Sequence, residues 1–244
     1  MKNFQVNKTM FGYSLFVLGL ISLIVGLLTV GCNLGRQEAK NANLYSFSNQ
    51  EAANSYIAAS NGLAAVIDPV STEKIIKVLR EKGLKTEYII LTHGHFDHIV
   101  GVSTLKGEFP EARVMINPAD SDMLPDPVKN LSQMFGAELS VGEQVSPIKA
   151  EDKLSLGKVI IEVIITPGHT PGSVCLKVGN TLFTGDTLFK GSVGRTDFPG
   201  SNPQDLALSL KKLLNYPDNT KILPGHGEPT TLGEEKQSNP YLKP

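Results

Sequence analysis

Four turns rich in glycine or aspartate each follow a short apolar run typical of a β-strand, and they constrain the fold more than any other feature. The apolar runs cover residues 88–91, 160–165, 181–183 and 222–223, and the turns after them contain all five histidines of the chain. Folds of the α/β class build their sites from polar side chains at the ends of several strands. The chain is therefore expected to bring these four strand ends together.

Hydrophobic periodicity predicts alternating strands and helices. Ser71 is a candidate cap for a helix through Lys82 that Gly83 ends, Asn202 and Pro203 open a second helix, and a third follows His98. We expect Val100, Val102 and Leu105 to lie in that third helix. The mixture predicts an α/β fold, with two sheets flanked by helices. The predicted strands are 55–60, 63–67, 88–91, 113–116, 159–165, 173–178, 181–183 and 221–223.

The histidine and aspartate side chains of the four turns form a candidate metal site. His93 and His95 are two residues apart, so in extended backbone both side chains can reach one ion. Asp97 and His98 follow where the chain turns into a helix, and this change of direction lets the segment reach a second ion. The remaining candidate ligands come from distant turns: His169, Asp186 and His226.

Seven side chains suit two divalent cations with three protein ligands each, one shared carboxylate and open positions for water. Open positions indicate catalysis rather than a structural role. The two cysteines, Cys32 and Cys175, are too few for a thiolate zinc module, and Cys175 is expected to be a small core residue. Zinc is the expected metal, with iron and manganese as alternatives. A single histidine in a loop is more often solvated than a ligand, so the prediction depends on the whole set.

The charge pattern argues against a polyanionic partner. The formal net charge is −1, from 23 basic and 24 acidic residues that are interspersed along the chain. We therefore expect a small-molecule substrate and no nucleic acid.

The first 32 residues are expected to be an export signal or a membrane anchor. Lys2 and Lys8 flank an uncharged, apolar stretch over residues 9–31, and 28–32 resembles a bacterial lipobox that ends at Cys32. Residues 33–43 are polar and suit a tether, and the catalytic domain is expected over 44–244. This organisation predicts an extracytoplasmic protein held at the membrane by a lipid or by an uncleaved anchor.

The motifs as a set resemble the metallo-β-lactamase superfamily, and within it the glyoxalase II-like hydrolases. The similar segments are His-x-His-x-Asp-His from His93, Thr-Pro-Gly-His-Thr-Pro-Gly from Thr166, Phe-Thr-Gly-Asp from Phe183, the run 191–200, Pro-Gly-His-Gly from Pro224, and the tail from Gly233. The resemblance covers about residues 44–244. It implies an αββα sandwich with the site at one edge of the two sheets.

The resemblance also implies how the ligands divide. One ion would take His93, His95 and His169, the second would take Asp97, His98 and His226, and Asp186 would bridge them. Asp68 matches a family position near the site, although a turn role explains it equally well.

Arg195 either faces the substrate or braces its loop, and its neighbour Asp197 is expected to be a structural turn residue. Only 18 residues follow His226, which is too few for the glutathione-binding helical domain of full-length glyoxalase II. The chain is therefore not expected to share the glutathione specificity of that enzyme.

The expected function is hydrolysis of a thioester or related acyl substrate by a metal-bound hydroxide, with Asp97 and Asp186 as catalytic residues. A divalent ion brings the pKa of bound water from about 15.7 to near 7. No histidine or glutamate is left over as a general acid, which favours thiolate leaving groups.

Three alternatives remain open. The first is a persulfide dioxygenase, with one iron on His93, His169 and Asp186. The second is a β-lactamase or lactonase. The third is a membrane-tethered metal-binding protein without turnover.

Overall fold

The computed structural model describes residues 42–49 and 52–243. The predicted export signal or anchor, and the tether up to residue 41, lie outside the described residues, so these predictions stay predictions. Within the described part of the chain, no helix is both long enough and apolar enough to cross a bilayer.

Fourteen strands and five α-helices make up the described part of the chain. The strands are β1 Asn43–Phe47, β2 Ser55–Ser60, β3 Leu63–Ile67, β4 Lys85–Ile90, β5 Arg113–Ile116, β6 Val145–Pro147, β7 Lys153–Leu156, β8 Val159–Ile165, β9 Val174–Val178, β10 Thr181–Gly185, β11 Leu188–Phe189, β12 Ser192–Val193, β13 Lys221–Pro224 and β14 Thr230–Thr231. The helices are α1 Thr72–Glu81, α2 Phe96–Ile99, α3 Val102–Glu108, α4 Pro203–Leu213 and α5 Leu232–Ser238, and two short 3₁₀ helices cover Pro118–Met123 and Ser132–Phe135.

The strands form two six-stranded sheets and one small hairpin. The first sheet has the order β1-β2-β3-β4-β5-β6, the second has the order β14-β13-β10-β9-β8-β7, and β11 pairs with β12. Strands β3, β4, β5 and β6 run parallel to one another, and β10 runs parallel to β13. Carboxyl ends of parallel strands lie at one edge of a sheet, which is where polar turn residues gather.

Three apolar clusters separate four layers. The two sheets pack face to face through one cluster that includes Tyr56, Ile90, Val163 and Phe183. Because side chains alternate along a strand, the intervening residues of the first sheet face the other way and pack against α1 and α3. The outer face of the second sheet packs against α4. The order of layers is therefore helix, sheet, sheet, helix, and the predicted αββα sandwich is confirmed.

Helix ends follow the local chemistry of the sequence. Asn202 accepts hydrogen bonds from the backbone N–H groups of Gln204 and Asp205, and Pro203 occupies the first turn of α4. Thr231 and Glu234 form a reciprocal capping box at α5. Ser71 precedes α1 as expected but makes no side-chain cap hydrogen bond.

The expected single helix through Val100, Val102 and Leu105 is wrong. The chain forms α2 and α3 with Val100 and Gly101 between them, and Val100 is 46% exposed. Gly101 lies at the break, and it allows the backbone to approach Pro69, since a β-carbon there would lie 2.0 Å from the carbonyl oxygen of Pro69.

Candidate metal centre

All seven candidate ligands lie in loops or first helical turns that follow strands. His93, His95, Asp97 and His98 come after β4, on the first sheet, and the last two belong to α2. His169 follows β8, Asp186 follows β10, and His226 follows β13, all on the second sheet. The structure therefore brings together side chains from both sheets at one edge of the sandwich.

The ligand atoms of these residues gather in three overlapping groups. Within each group, one nitrogen or oxygen from every member lies within 4.8 Å of the others. The groups are His93 with His95 and His169, His93 with His98 and Asp186, and Asp97 with His98 and His226. The first and last groups are the two ligand sets that the sequence resemblance implied.

Asp186 lies between the two outer groups. Its Oδ1 is 3.3 Å from His98 Nε2, and its Oδ2 is 3.5 Å from His169 Nε2 and 3.6 Å from His226 Nε2. One carboxylate thus faces both groups, which is the placement a bridging ligand requires. Whether Asp186 bridges two ions stays a proposal.

Three polar atoms of the cluster are buried without a hydrogen-bond partner: His93 Nε2, His98 Nε2 and Asp186 Oδ1. The 3.3 Å contact between the last two lacks hydrogen-bonding geometry. Unsatisfied buried polar atoms are rare in native proteins and need an explanation. A cation that these atoms coordinate supplies one.

Hydrogen bonds on the far side of the imidazole rings orient them. His98 Nδ1 donates to Asp68 Oδ2 at 2.9 Å, and His169 Nδ1 donates to the carbonyl oxygen of Arg195 at 2.8 Å. Both bonds leave Nε2 to face the cluster. Thr92 donates to Asp68 through its backbone N–H and its hydroxyl, and this hydroxyl is 3.2 Å from His93 Nδ1. Asp68 therefore orients ligands rather than only shaping a turn.

Sequence reasoning missed Asp120, a fully buried carboxylate beside the cluster. It accepts hydrogen bonds from Gly94 N at 3.0 Å, Gly172 N at 2.7 Å and the Thr170 hydroxyl at 2.6 Å. It therefore ties the loop of His93 and His95 to the loop of His169. Its partners are 26 to 52 residues away, and no motif around Asp120 signals this role.

The loop of His226 is held by two further residues that the sequence did not reveal. Asn54 Nδ2 donates to the carbonyl oxygens of Pro224 and Gly227, and the Tyr56 hydroxyl donates to Pro224 at 2.6 Å. Gly225 is required because a β-carbon there would lie 2.2 Å from Asp186 Oδ1. The glycine of the Pro-Gly-His motif thus allows the backbone to approach the carboxylate.

The electrostatics of the cluster favour neutral imidazoles at His93 and His95 and ionised carboxylates, whereas those carboxylates raise the pKa of His98 and His226 in spite of burial. Burial lowers the pKa of His95 to about 3, and His169 adds to this effect. Burial also lowers the pKa of His93, with His98 as a further cause. Burial opposes ionisation of Asp186 and Asp97, but the neighbouring histidines, with His98 first among them, together outweigh burial and lower both carboxyl pKa values. Neutral imidazole and carboxylate are the protonation states that bind metals.

A cavity of about 430 Å³ opens onto the cluster. Its polar wall consists of His95, Asp97, His169, Asp186, His226 and Arg195. Arg195 makes a bidentate ion pair with Asp197, with both N···O distances at 2.6 Å, and its guanidinium stacks on the Phe198 ring. Arg195 thus both lines the cavity and braces its loop, and Asp197 pairs with it.

The donor set fits divalent transition metals. Five imidazoles and two carboxylates offer nitrogen and oxygen ligands, which suit zinc, iron and manganese. Cys175 is buried in the outer cluster of the second sheet and belongs to none of the groups. The orphaned ligand atoms and the donor chemistry both fit the predicted metal ions.

Comparison with known proteins gives a family match and several relatives. The sequence profile of the metallo-beta-lactamase superfamily matches residues 49–226. The probable metallo-hydrolase YqgX of Bacillus subtilis is 35% identical over 195 residues, which cover 78% of this chain and 92% of that protein. Hydroxyacylglutathione hydrolase 1 of Vibrio vulnificus is 39% identical over 214 residues, which cover 74% of this chain and 78% of that protein.

Solved structures show the same fold. The B3 metallo-beta-lactamase BLEG-1 superposes with a TM-score of 0.77 at 31% identity, over 83% of this chain and 100% of that one. TTHA1623 in a di-iron-bound form superposes with a TM-score of 0.73 at 34% identity, over 81% of this chain and 100% of that one. ETHE1 from Myxococcus xanthus superposes with a TM-score of 0.66 at 28% identity, over 81% of this chain and 83% of that one.

The fold, the histidine and aspartate cluster and these matches define a metal-dependent hydrolase built on an αββα sandwich. The chain belongs to the metallo-β-lactamase superfamily.

Proposed function

We propose that the protein hydrolyses thioesters or related activated acyl compounds at a pair of divalent cations. The observation that carries this proposal is the position of Asp186 between two triads that face one cavity. The 39% identity to a hydroxyacylglutathione hydrolase supports the choice of an acyl substrate. Zinc is the proposed metal, and the di-iron form of TTHA1623 makes iron the first alternative.

The proposed ligand sets follow the observed groups. His93, His95 and His169 would hold one ion, Asp97, His98 and His226 would hold the other, and Asp186 would contact both. Bound divalent cations supply a Lewis acid for the substrate carbonyl and lower the pKa of water toward 7.

Asp97 is the proposed residue that positions the attacking water. Its side chain is partly exposed to the cavity, and its Oδ2 lies 3.2 Å from His226 Nε2. Because the pKa of Asp97 is lowered, the carboxylate is ionised, so it can accept a hydrogen bond from the water and pass its proton on to solvent. The water oxygen bonds to the acyl carbon, the carbon–sulfur bond breaks, and the thiolate leaves without protonation. Both protons of the water pass to solvent, one of them through Asp97, and the products are a carboxylate and a thiolate.

The composition of the cavity supports a good leaving group. Apart from the cluster and Arg195, the described lining residues are apolar, so none of them is a conventional general acid. A thiolate departs without protonation, since thiols have pKa values near 8.5. Amides and phosphodiesters have poorer leaving groups, which depart less readily without protonation by a general acid.

A substrate panel tests the proposal. The purified, metal-loaded protein is assayed on thioesters, lactones, nitrocefin and a phosphodiester, next to Asp97→Asn and the exposed control Asp122→Asn. We expect thioesters to be hydrolysed fastest, a loss in kcat of about 10²-fold or more for Asp97→Asn, and normal activity for the control. Turnover of the phosphodiester alone, or full activity of Asp97→Asn, would refute the proposal.

A second candidate is persulfide oxidation at one iron ion. Asp186 is grouped with two histidines, His93 and His98, and two histidines with one carboxylate is the ligand set of non-haem iron oxygenases. The sequence predicted His93 and His169 as the two histidines of this set, whereas the structure groups His93 and His98 with Asp186. Oxygen uptake with a persulfide and one iron per chain would support this candidate, and oxygen-independent thioester hydrolysis with two ions would exclude it.

We also propose an extracytoplasmic location, with the protein lipidated at Cys32. The proposal depends on the apolar stretch and the lipobox-like segment of the sequence. Metabolic labelling with a fatty acid should mark the wild type and not Cys32→Ala. Equal labelling of both proteins, or none, would refute lipidation.

A further inference from the structure

The cavity beside the cluster has an apolar wall for which the proposed chemistry does not account. Six side chains line it in addition to the polar groups: Phe96, Leu131, Phe135, Phe189, Val193 and Phe198. They come from three separate parts of the chain. Cavities bind small molecules through such apolar walls, with few polar groups to fix orientation.

One part of this wall is the irregular loop that contains Leu131 and Phe135. Leu131 adopts a left-handed backbone conformation with φ of 69°, which is unfavourable for leucine. Its side chain is nevertheless 5% exposed and lines the cavity. Asn130 holds the loop, since its Nδ2 donates to Leu139 O, its Oδ1 accepts from Ser132 N, and its carbonyl accepts from Phe96 N.

Phe135 lies at the mouth of the cavity and is 61% exposed. Its ring centroid is 5.2 Å from that of Phe96, so the two rings form one surface. Core packing does not explain an aromatic ring with this exposure. A ligand that covers Phe135 would remove its apolar surface from water, which is favourable.

The charged side chains of the cavity also favour an uncharged ligand group. Apart from the candidate metal ligands, Arg195 is the one basic side chain among its described lining residues, and Asp197 neutralises it through two short contacts. Away from the metal cluster, a substrate with several carboxylates would therefore find no unpaired arginine or lysine in this wall. An uncharged, apolar group is the better match.

We propose that the cavity binds the acyl chain of its substrate against Phe96, Leu131 and Phe135, and selects thioesters of medium-length apolar acids. This inference rests on the proposed thioester hydrolysis. It assigns specificity to the acyl group and gives the thiol only the role of leaving group.

The test is a series of thioesters from acetyl to octanoyl on one neutral thiol, N-acetylcysteamine, with lactoylglutathione for comparison. The metal-loaded full chain is assayed as wild type, Phe135→Ala and Met134→Ala. Met134 is 63% exposed and does not line the cavity, so it provides a matched control on the same loop. A second readout is the affinity of uncleavable thioether analogues with the same chain lengths, measured by calorimetry.

We expect kcat/KM to rise about fourfold per added methylene until the wall is covered, since each buried methylene contributes a nearly constant amount. Phe135→Ala should lower the ratio of octanoyl to acetyl kcat/KM about tenfold, and Met134→Ala should leave this ratio unchanged. The affinity of the thioether analogues should rise with chain length in the wild type.

The outcomes separate this inference from the proposed function. Thioester turnover that is flat in chain length, or fastest with lactoylglutathione, would overturn the acyl-chain inference and leave thioester hydrolysis standing. No turnover of any thioester, with analogue affinity that still rises with chain length, would overturn the proposed function and leave the apolar subsite. If Phe135→Ala and Met134→Ala have the same ratio of octanoyl to acetyl kcat/KM, Phe135 does not belong to the subsite.

Discussion

Two candidate ligand histidines, His98 and His169, donate a hydrogen bond on the side of the ring away from the cluster, and Asp68 is the clearer example of such a partner. It is 1% exposed and contacts both His98 and Thr92. Its backbone φ of 49° is unusual for a residue other than glycine. A strained residue persists when its surroundings over-determine it, and here the surroundings are the ligands of the proposed metal site.

Replacing Asp68 should therefore weaken metal binding without removing a ligand. For Asp68→Ala we expect a loss in affinity of about 10- to 100-fold, because His98 loses the acceptor that orients its ring. Competition with a chromogenic chelator measures the change. Asp122→Asn, at an exposed position, is the control, and equal affinities for both variants would show that Asp68 does not orient His98.

Asp120 should act through the loops it joins. Asp120→Ala leaves three donors without an acceptor, including Gly94 N and Gly172 N, and should destabilise the protein by about 3 kcal/mol. Denaturant unfolding measures the loss, and metal affinity should fall with it since the two loops carry His93, His95 and His169. Asp120→Asn, which keeps acceptor oxygen, should recover part of both. No difference between the two variants would contradict the role.

Cys175 should be chemically inert in the folded protein. Burial raises the pKa of its thiol to about 11, and thiolate is the reactive form. At pH 8 roughly one thiol in a thousand is then ionised, and access is also blocked. We expect iodoacetamide to modify Cys175 only after unfolding, as mapped by peptide mass spectrometry. Rapid modification in native buffer would contradict the buried position.

At the scale of single residues, the sequence predicted what lies within short motifs. The seven candidate ligands are recognisable because each lies in the short segment that follows an apolar run, and the structure brings all of them together. Asp120, Asn54 and Tyr56 could not be found in this way. Their partners are distant in sequence, so only the folded chain brings them together.

At the scale of secondary-structure elements, the C-terminal helix α5 holds the β11–β12 hairpin in position. Asn239, which follows α5, donates to Ser192 O at 3.0 Å and to Glu235 Oε2 at 2.8 Å. Glu235 is buried and also accepts from Gly191 N. The hairpin supplies Phe189 and Val193 to the cavity, so α5 shapes the substrate site without touching it.

Loss of this support should affect substrate binding more than chemistry. For Asn239→Ala we expect KM to rise several-fold, with a smaller change in kcat, because the hairpin supplies side chains to the cavity wall but none of the candidate ligands. Steady-state kinetics on one thioester separates the two constants. Ser238→Ala is the neighbouring control. A loss confined to kcat would contradict this assignment.

Elements with a long apolar pattern were predicted well, and short or exposed ones were not. Strands β2, β3, β5 and β8 have the predicted limits because each is a continuous run of buried or alternating residues. The two-residue strands β11, β12 and β14 carry too few residues to show a period. The break between α2 and α3 coincides with a close contact of Gly101 with Pro69, which hydrophobic periodicity cannot reveal.

At the scale of the whole molecule, the proposed ions would join the two sheets. Each outer ligand group combines residues that follow β4 in the first sheet with one residue from a loop of the second. The cluster therefore lies where the two halves of the sandwich meet. Metal binding should then stabilise the folded protein as a unit, in proportion to its affinity.

Removal of the metal should lower the melting temperature. A ligand present at a thousandfold excess over its Kd contributes about 4 kcal/mol, which corresponds to roughly 10 °C in a domain of this size. We expect dialysis against EDTA to lower Tm by about that amount, and zinc to restore it. An unchanged Tm would show that the cluster does not hold the sheets together through a metal.

The central claim is that seven side chains hold two cations that share Asp186, and the metal content of the purified protein tests it most directly. Elemental analysis should find two divalent ions per wild-type chain and a clear loss in Asp186→Ala, while the exposed control Asp122→Asn retains both. One ion or none in the wild type, or unchanged content in Asp186→Ala, would contradict the account.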